Sequence, residues 1–287
     1  MYDVIIIGAG PAGISSGMYA KRANKKVLIL YNGESNLEKA EKIDNYYGFE
    51  NGISGKELFE VGINQAINLG IELKKEEVLN IIKNQDEFVI ATTEKEYYSK
   101  TVIMATGNKK IRPNIKGIID FEGKGISYCA ICDGFFYRNK NVAVIGNGKF
   151  AINEANELKN IVNHVTILSN GLEMETHSEF SVISEKIKEI HGDTKVRSIE
   201  FEDGDIIEID GIFIALGEAG GSDFAKKLGV IIENDNIVVN EKMETNIPGL
   251  FACGNLTGGL LQVAKAVYEG AEAGLSAVNY LRKIKED

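Results

Sequence analysis

Positive charge is scarce in this 287-residue chain, with 32 Lys and Arg against 42 Asp and Glu and a formal net charge of −10. That balance argues against a nucleic-acid partner, because phosphate recognition needs a clustered basic surface. Cysteine is scarce as well. Three residues, an odd number, are too few for a disulfide scaffold, so a reducing cytoplasm is expected and any cysteine pair points to redox or metal chemistry. No stretch reaches the ~18 uninterrupted apolar residues of a membrane span. MYDVIIIG opens directly on a strand pattern, with none of the marks of a secretory leader, so neither membrane insertion nor export is expected.

The 44% hydrophobic content is enough for two modest domains, since ~150 residues per domain is typical. An apolar run over 2–7 leads into Gly8-Ala9-Gly10-Pro11-Ala12-Gly13, a helix pattern to Ala23 and an apolar strand from Val27 to Tyr31. This is a βαβ opening. Strands are also expected near 87–93 and 101–107, and an amphipathic helix from Ser54. The pattern then restarts: NVAVIG at 141–146, a helix through Leu158 and a strand at 164–169. VIMATG (102–107) and IFIALG (212–217) repeat a strand that ends in glycine. Two αβ modules of one design are expected, closed by a final helix over about 261–283, where Gly270 and Gly274 permit close backbone packing.

Gly8, Gly10 and Gly13 sit after a strand and open a helix, the context in which a pyrophosphate reaches backbone N–H groups at a helix N-terminus. The second strand ends at Tyr31-Asn32, with Glu34 a little later, so the acidic ribose contact of an NAD site is displaced and FAD is the better expectation. Cys129-Ala130-Ile131-Cys132-Asp133-Gly134 is the second anchor. Thiols at this spacing can close a small disulfide ring, and one of them can be activated as a thiolate. An adjacent Asp can hold the proton that moves when a thiolate leaves. Zinc would need two more ligands. The remaining Cys253, His164, His177 and His191 are scattered, so no metal is expected; Cys253 reads as a small buried hydrophobe and the histidines as surface residues.

The string SYCAICDGFFYRNKNVAVIGNG (127–148), with GAGPAG and IPGLFACGN, resembles the low-molecular-weight thioredoxin reductase family over essentially the whole chain. The resemblance implies an α/β, two-dinucleotide-binding-domain flavoprotein. Its FAD-binding domain (1–112 and 242–287) would be interrupted by a smaller Rossmann-like domain (113–241) carrying the dithiol. Cys132 would then face the flavin, Cys129 would attack the thioredoxin disulfide, and Asp133 would be the acid. FAD contacts are implied at Gly8, Gly10, Pro11, Ala12, Gly13, Tyr31, Asn32, Glu34, Asn45, Val78, Ala105, Thr106, Gly107, Gly254, Asn255 and Gln262. Asn255 stands where the family has Asp, and Gln262 would begin the last helix. A cytoplasmic homodimer is implied by the same resemblance.

One part of that pattern is absent. Family members that take hydride from NADPH follow the second glycine turn with arginines for the 2′-phosphate. Here Gly146-Asn147-Gly148 is followed by Lys149 and bulky Phe150, and the next strand ends Leu168-Ser169-Asn170-Gly171-Leu172-Glu173 with Glu175 beyond, that strand end carrying no Lys or Arg. A switch to NADH would ordinarily place a carboxylate at the strand end, where Ser169-Asn170 stands. No NADPH is therefore expected. The remaining resemblance is to ferredoxin-dependent flavin thioredoxin reductases, which implies ferredoxin as donor and thioredoxin as acceptor. An acidic ferredoxin calls for a local basic patch, and Lys109, Lys110, Arg112 and Lys116 form one candidate, Arg138 with Lys140 another. Alternatives are an NADPH- or NADH-dependent thioredoxin reductase, a flavin-dependent dithiol oxidase, and a redox-sensing flavoprotein.

Overall fold

The computed structural model describes residues 1–33, 35–107, 113–128, 130–217, 220–234 and 236–286. The chain forms two compact units, one from 1–109 and 220–287, the other from 110–219.

The first unit begins with β1 (Tyr2–Ile7), α1 (Pro11–Arg22) and β2 (Val27–Tyr31), then α2 (Gly55–Asn68), β3 (Glu72–Lys75), β4 (Val78–Asn84), β5 (Glu87–Thr92) and β6 (Glu96–Met104). The apolar runs of β1 and β2 are buried on both faces, as parallel strands between helices must be. Ile5 aligns with Leu28 of β2 on one side and Val102 of β6 on the other. Helix α1 starts on Pro11, whose missing N–H costs nothing at that position. Ser54 caps α2 by accepting the Glu57 N–H at 3.1 Å.

The second unit contains α3 (Ile118–Phe121), β7 (Ile126–Ser127), α4 (Ala130–Asp133), β8 (Asn141–Ile145), α5 (Lys149–Leu158), β9 (His164–Leu168) and β10 (Ser181–Ile183). An antiparallel trio follows, β11 (Ile187–Gly192), β12 (Val196–Phe201) and β13 (Ile206–Glu208), and then β14 (Gly211–Ile214). Strands β10-β9-β8-β14-β7 make a five-stranded parallel sheet, with Ile145 beside Leu168 and Ile214. Its core combines Val144, Phe150, Leu158, Ile167 and Phe213.

The chain re-enters the first unit with α6 (Gly221–Lys227), β15 (Ile232–Glu233), β16 (Asn236–Ile237), β17 (Leu250–Ala252) and α7 (Val263–Glu286). Strand β17 pairs with the second half of β6, Phe251 beside Ile103, while β5 covers its first half, giving a seven-stranded sheet. The crossing falls at 219/220 and not at 241/242, the boundary placed from sequence. No linker composition marks it. Segment 220–241 is tied to the first unit by hydrogen bonds from Gly221 N–H to Thr106 Oγ1 (3.0 Å) and from Ile231 N–H to Asn246 Oδ1 (2.9 Å). Helix α7 starts one residue later than the sequence suggests. Gln262 precedes it, and its carbonyl accepts the Ala266 N–H at 3.1 Å.

Helices α1 and α7 pack closely, and the Ser15 hydroxyl of α1 donates to the Val267 carbonyl of α7 at 2.7 Å. A Cβ on Gly270 would overlap the Ala12 carbonyl oxygen, and one on Gly274 would crowd Ser16. The two glycines therefore set the approach distance of the helix pair that frames the first glycine turn.

Candidate active site

In the first unit, the carboxyl ends of parallel strands deliver the expected cofactor residues to one edge of the sheet, the usual ligand position in open α/β sheets. β1 leads into Gly8, whose N–H donates to the Leu30 carbonyl at 2.7 Å. Gly8 has φ +110°, and a Cβ there would overlap the Ala105 carbonyl oxygen. Only glycine fits. A Cβ on Gly10 or Gly107, by contrast, would meet nothing within 4 Å. No side chain caps α1 at Gly10, which leaves first-turn amides open for an anion. Ala12 packs against Gly254 (φ +77°), which opens the short helical turn Gly254–Thr257 bearing Asn255. Thr106 Oγ1 donates to the Gly107 carbonyl at 3.2 Å. Tyr31 ends β2 and accepts the Glu76 N–H at 2.9 Å, which brings the start of β4, with Val78 buried, close to Tyr31 and Asn32. Glu34 lies outside the described residues.

Asn45 and Gln262 meet: Asn45 Nδ2 donates to Gln262 Oε1 at 3.0 Å across 217 positions of chain. A cavity of about 90 Å³ opens beside Gly10 and Pro11, walled by Ile14, Met18, Leu58 and Val263. The open glycines, uncapped amides and paired amide side chains fit a dinucleotide flavin.

Sequence reasoning missed the pair that locks this edge. Lys265 Nζ donates to the carbonyls of Gly254 (2.7 Å) and Gly258 (2.6 Å) and lies 2.9 Å from Glu269 Oε2. Glu269 in turn accepts the Gly254 N–H at 2.8 Å and the Thr257 hydroxyl at 2.8 Å. The signal was present as an i, i+4 Lys-Glu pair on the helix face that also carries Ala266, Gly270 and Ala273. Beneath it Cys253 is fully buried, as expected. Burial first, and then the Glu269 carboxylate, push its thiol far above the ordinary range.

The dithiol lies in the second unit. Cys129 lies outside the described residues, and the backbone of Cys132 belongs to α4. Asp133 accepts the Ser127 hydroxyl at 2.6 Å, which fixes the direction of its carboxylate. The Ala130 N–H, between the two cysteines in sequence, donates to Glu154 Oε2 at 2.7 Å. Burial, followed by the charges of Asp133 and Asp210, raises the Tyr137 phenol.

The loop after β9 is turned on itself. The Ser169 hydroxyl donates to the Leu172 carbonyl, and Asn170 Oδ1 accepts the Ile187 N–H at 2.8 Å. Asn147 Nδ2 donates to the Glu173 carbonyl at 3.0 Å, and the Glu175 N–H donates to the Asn147 carbonyl at 2.9 Å. The Glu175 carboxylate lies where a Cβ on Gly148 would meet it, at 2.7 Å.

Of the basic candidates, Lys109, Lys110 and Arg112 lie outside the described residues. Lys116 pairs with Glu189 at 2.9 Å. Arg138 lies over the Phe135 ring and Lys140 over Tyr137. His164 and His177 are exposed. His191 is not the plain surface residue expected: it is partly enclosed and bonds Glu200 Oε2 at 2.8 Å. With Glu189 these form a His-carboxylate group, but Lys116 and Lys188 already pair its carboxylates. Among the described residues no helix is long and apolar enough to cross a membrane.

A family model described as pyridine nucleotide-disulphide oxidoreductase matches residues 2–270. The chain is 35% identical to the thioredoxin reductase of Aquifex aeolicus, over 98% of this chain and 94% of that one. Among solved structures it is similar to the atypical thioredoxin reductase TRi from Desulfovibrio vulgaris Hildenborough, with TM-score 0.92, 39% identity and 99% of both chains covered. A ferredoxin-flavin thioredoxin reductase from Clostridium acetobutylicum matches with TM-score 0.72 and 35% identity, over 100% of this chain and 99% of that one.

Proposed function

Because the chain belongs to the pyridine nucleotide-disulphide oxidoreductase family, and within it to the low-molecular-weight thioredoxin reductases, we propose that it passes electrons from reduced ferredoxin, through FAD and the Cys129-Cys132 pair, to thioredoxin. The observation that carries the donor assignment is the loop Ser169–Glu175. It holds no Lys or Arg, its two strand-end side chains are committed to backbone groups, and it presents Glu173 and Glu175 to any incoming 2′-phosphate. The C. acetobutylicum relative, named for ferredoxin, supports the same donor.

FAD, when bound, supplies the conversion between one-electron delivery and two-electron thiol chemistry. The first-turn amides of α1 would hold its pyrophosphate, and Asn45, Asn255 and Gln262 would contact the flavin end. In the second unit the Cys129 thiolate attacks one sulfur of the thioredoxin disulfide, forming a mixed disulfide and releasing one thioredoxin thiolate. Cys132 then attacks the Cys129 sulfur, which frees the second thioredoxin thiol and leaves the Cys129-Cys132 disulfide. Asp133, held by Ser127, supplies the proton that a departing thiolate needs. A cytoplasmic homodimer completes the proposal, checked by sedimentation.

A pyridine-nucleotide donor is the second reading, favoured by the retained Gly146-Asn147-Gly148 turn and by the family's description. Anaerobic flavin absorbance separates the two. Bleaching by reduced ferredoxin alone, reversed by oxidised thioredoxin, is the expected result, and prompt bleaching by NADPH or NADH overturns the ferredoxin assignment.

A further inference from the structure

Gly146-Asn147-Gly148 leads from β8 into α5, and its two glycines serve different ends. Gly146 permits close packing: a Cβ there would overlap the Ala215 carbonyl oxygen and lie 2.8 Å from the Ala151 Cβ. Gly148 is the second glycine of the turn, the one that in a dinucleotide site stays bare so that a pyrophosphate can approach the backbone. In this chain that space belongs to Glu175. Its Oε2 lies 2.7 Å, and its carboxyl carbon 3.5 Å, from the place a Cβ on Gly148 would take. Among the described residues no side chain caps α5 at Gly148, so the helix start retains the open amides and the dipole that favour an anion.

The backbone brings Glu175 there. Asn147, the middle residue of the turn, is bonded to segment 173–175 twice: its Nδ2 donates to the Glu173 carbonyl at 3.0 Å, and its carbonyl accepts the Glu175 N–H at 2.9 Å. Between these two bonds Met174 packs against the core that α5 shares with the parallel sheet. The preceding residues of the loop are fixed as well, Ser169 on the Leu172 carbonyl and Asn170 on the Ile187 N–H.

We propose that segment 173–175 is a strap across the second glycine turn, and that Glu175 is a specificity-determining residue which closes the pyrophosphate seat to dinucleotides. The proposal rests on the ferredoxin reading above and deepens it. A segment 169–175 without Lys or Arg refuses only the 2′-phosphate of NADPH. A carboxylate over Gly148 refuses the pyrophosphate that NADPH, NADH and ADP share, because it fills the space and because like charges brought together oppose binding. The strap thereby leaves the flavin to a donor that does not use this turn.

The test uses the full-length, FAD-saturated protein, in which the first glycine turn is already filled and added ADP reads the second. Equilibrium dialysis measures ADP affinity for the wild type, Glu175→Ala and Glu179→Ala, the last an exposed carboxylate farther along the same loop. Glu175→Ala should bind ADP at least about tenfold more tightly than the wild type, while Glu179→Ala follows the wild type. Equal affinity in the wild type and Glu175→Ala, or an equal gain in Glu179→Ala, overturns the proposal. Hydrogen exchange at the Glu175 amide of the wild type needs no variant: slow exchange is expected, and exchange at the rate of an open amide overturns the strap. Prompt bleaching of the wild-type flavin by NADPH would remove the ferredoxin reading, and a tenfold gain of ADP affinity in Glu175→Ala beside it would leave the strap standing.

Discussion

At the scale of single residues, Cys129→Ser should abolish thioredoxin reduction and leave the flavin bound, because every residue assigned to FAD lies in the first unit and Cys129 in the second. Turnover with thioredoxin and the flavin absorbance spectrum check both halves of that outcome. Cys253 should resist alkylation in the native protein and react only on unfolding, since burial and Glu269 hold its thiol protonated. Mass spectrometry after brief treatment reads the difference. Tyr2 carries a pH prediction. Burial first, then the hydrogen bond to Glu72 at 2.8 Å and its charge, push the phenol up to about 12 from an ordinary 10.0. The folded state thus favours the neutral phenol. Its stabilisation is complete below about pH 10 and is lost as the pH rises through about 12. Urea midpoints between pH 9 and 12 should fall, with a shallower fall in Tyr2→Phe.

At the scale of elements, the α1–α7 contact is the sensitive joint. Gly270→Ala would set a methyl against the Ala12 carbonyl, and overpacking of this kind costs roughly 1–3 kcal/mol. Ala12 belongs to the first glycine turn, so FAD affinity should fall along with stability. A variant that loses stability at unchanged FAD affinity would show that the joint does not shape the site. Glu269→Gln strikes the same edge by another route. It leaves Lys265, whose side chain is only 14% exposed, without its carboxylate, and breaking such a pair costs roughly 3 kcal/mol. Chemical denaturation of the apoprotein and the holoprotein separates loss of fold from loss of flavin.

At the scale of the whole molecule, each unit has its own core. The first is built from Ile6, Ile29, Ile103, Phe251 and the inner face of α7, the second from the parallel sheet with α5. A chain joining 1–109 to 220–287 through a short linker should therefore fold and bind FAD, with no thioredoxin reduction; flavin fluorescence quenching on titration checks it. The core strands were legible as apolar runs, since strands buried on both faces have no other composition available. The unit boundary at 219/220 was not legible. It rests on the packing of segment 220–241 and on hydrogen bonds such as that from Gly221 to Thr106, which leave no mark in composition.

The sequence by itself determined the local chemistry: a glycine turn able to cradle pyrophosphate, a C-x-x-C followed by Asp, and a segment 169–175 without Lys or Arg beyond the second turn. Each follows from spacing over a few residues, where backbone geometry and side-chain type suffice. Only the tertiary structure decided that Asn45 reaches Gln262, that Lys265 and Glu269 lock the turn bearing Asn255, and that Glu154 holds the backbone of the dithiol loop. Those contacts exist because packed helices and sheet edges bring distant positions together, and polar groups taken out of water must find partners wherever the packing places them.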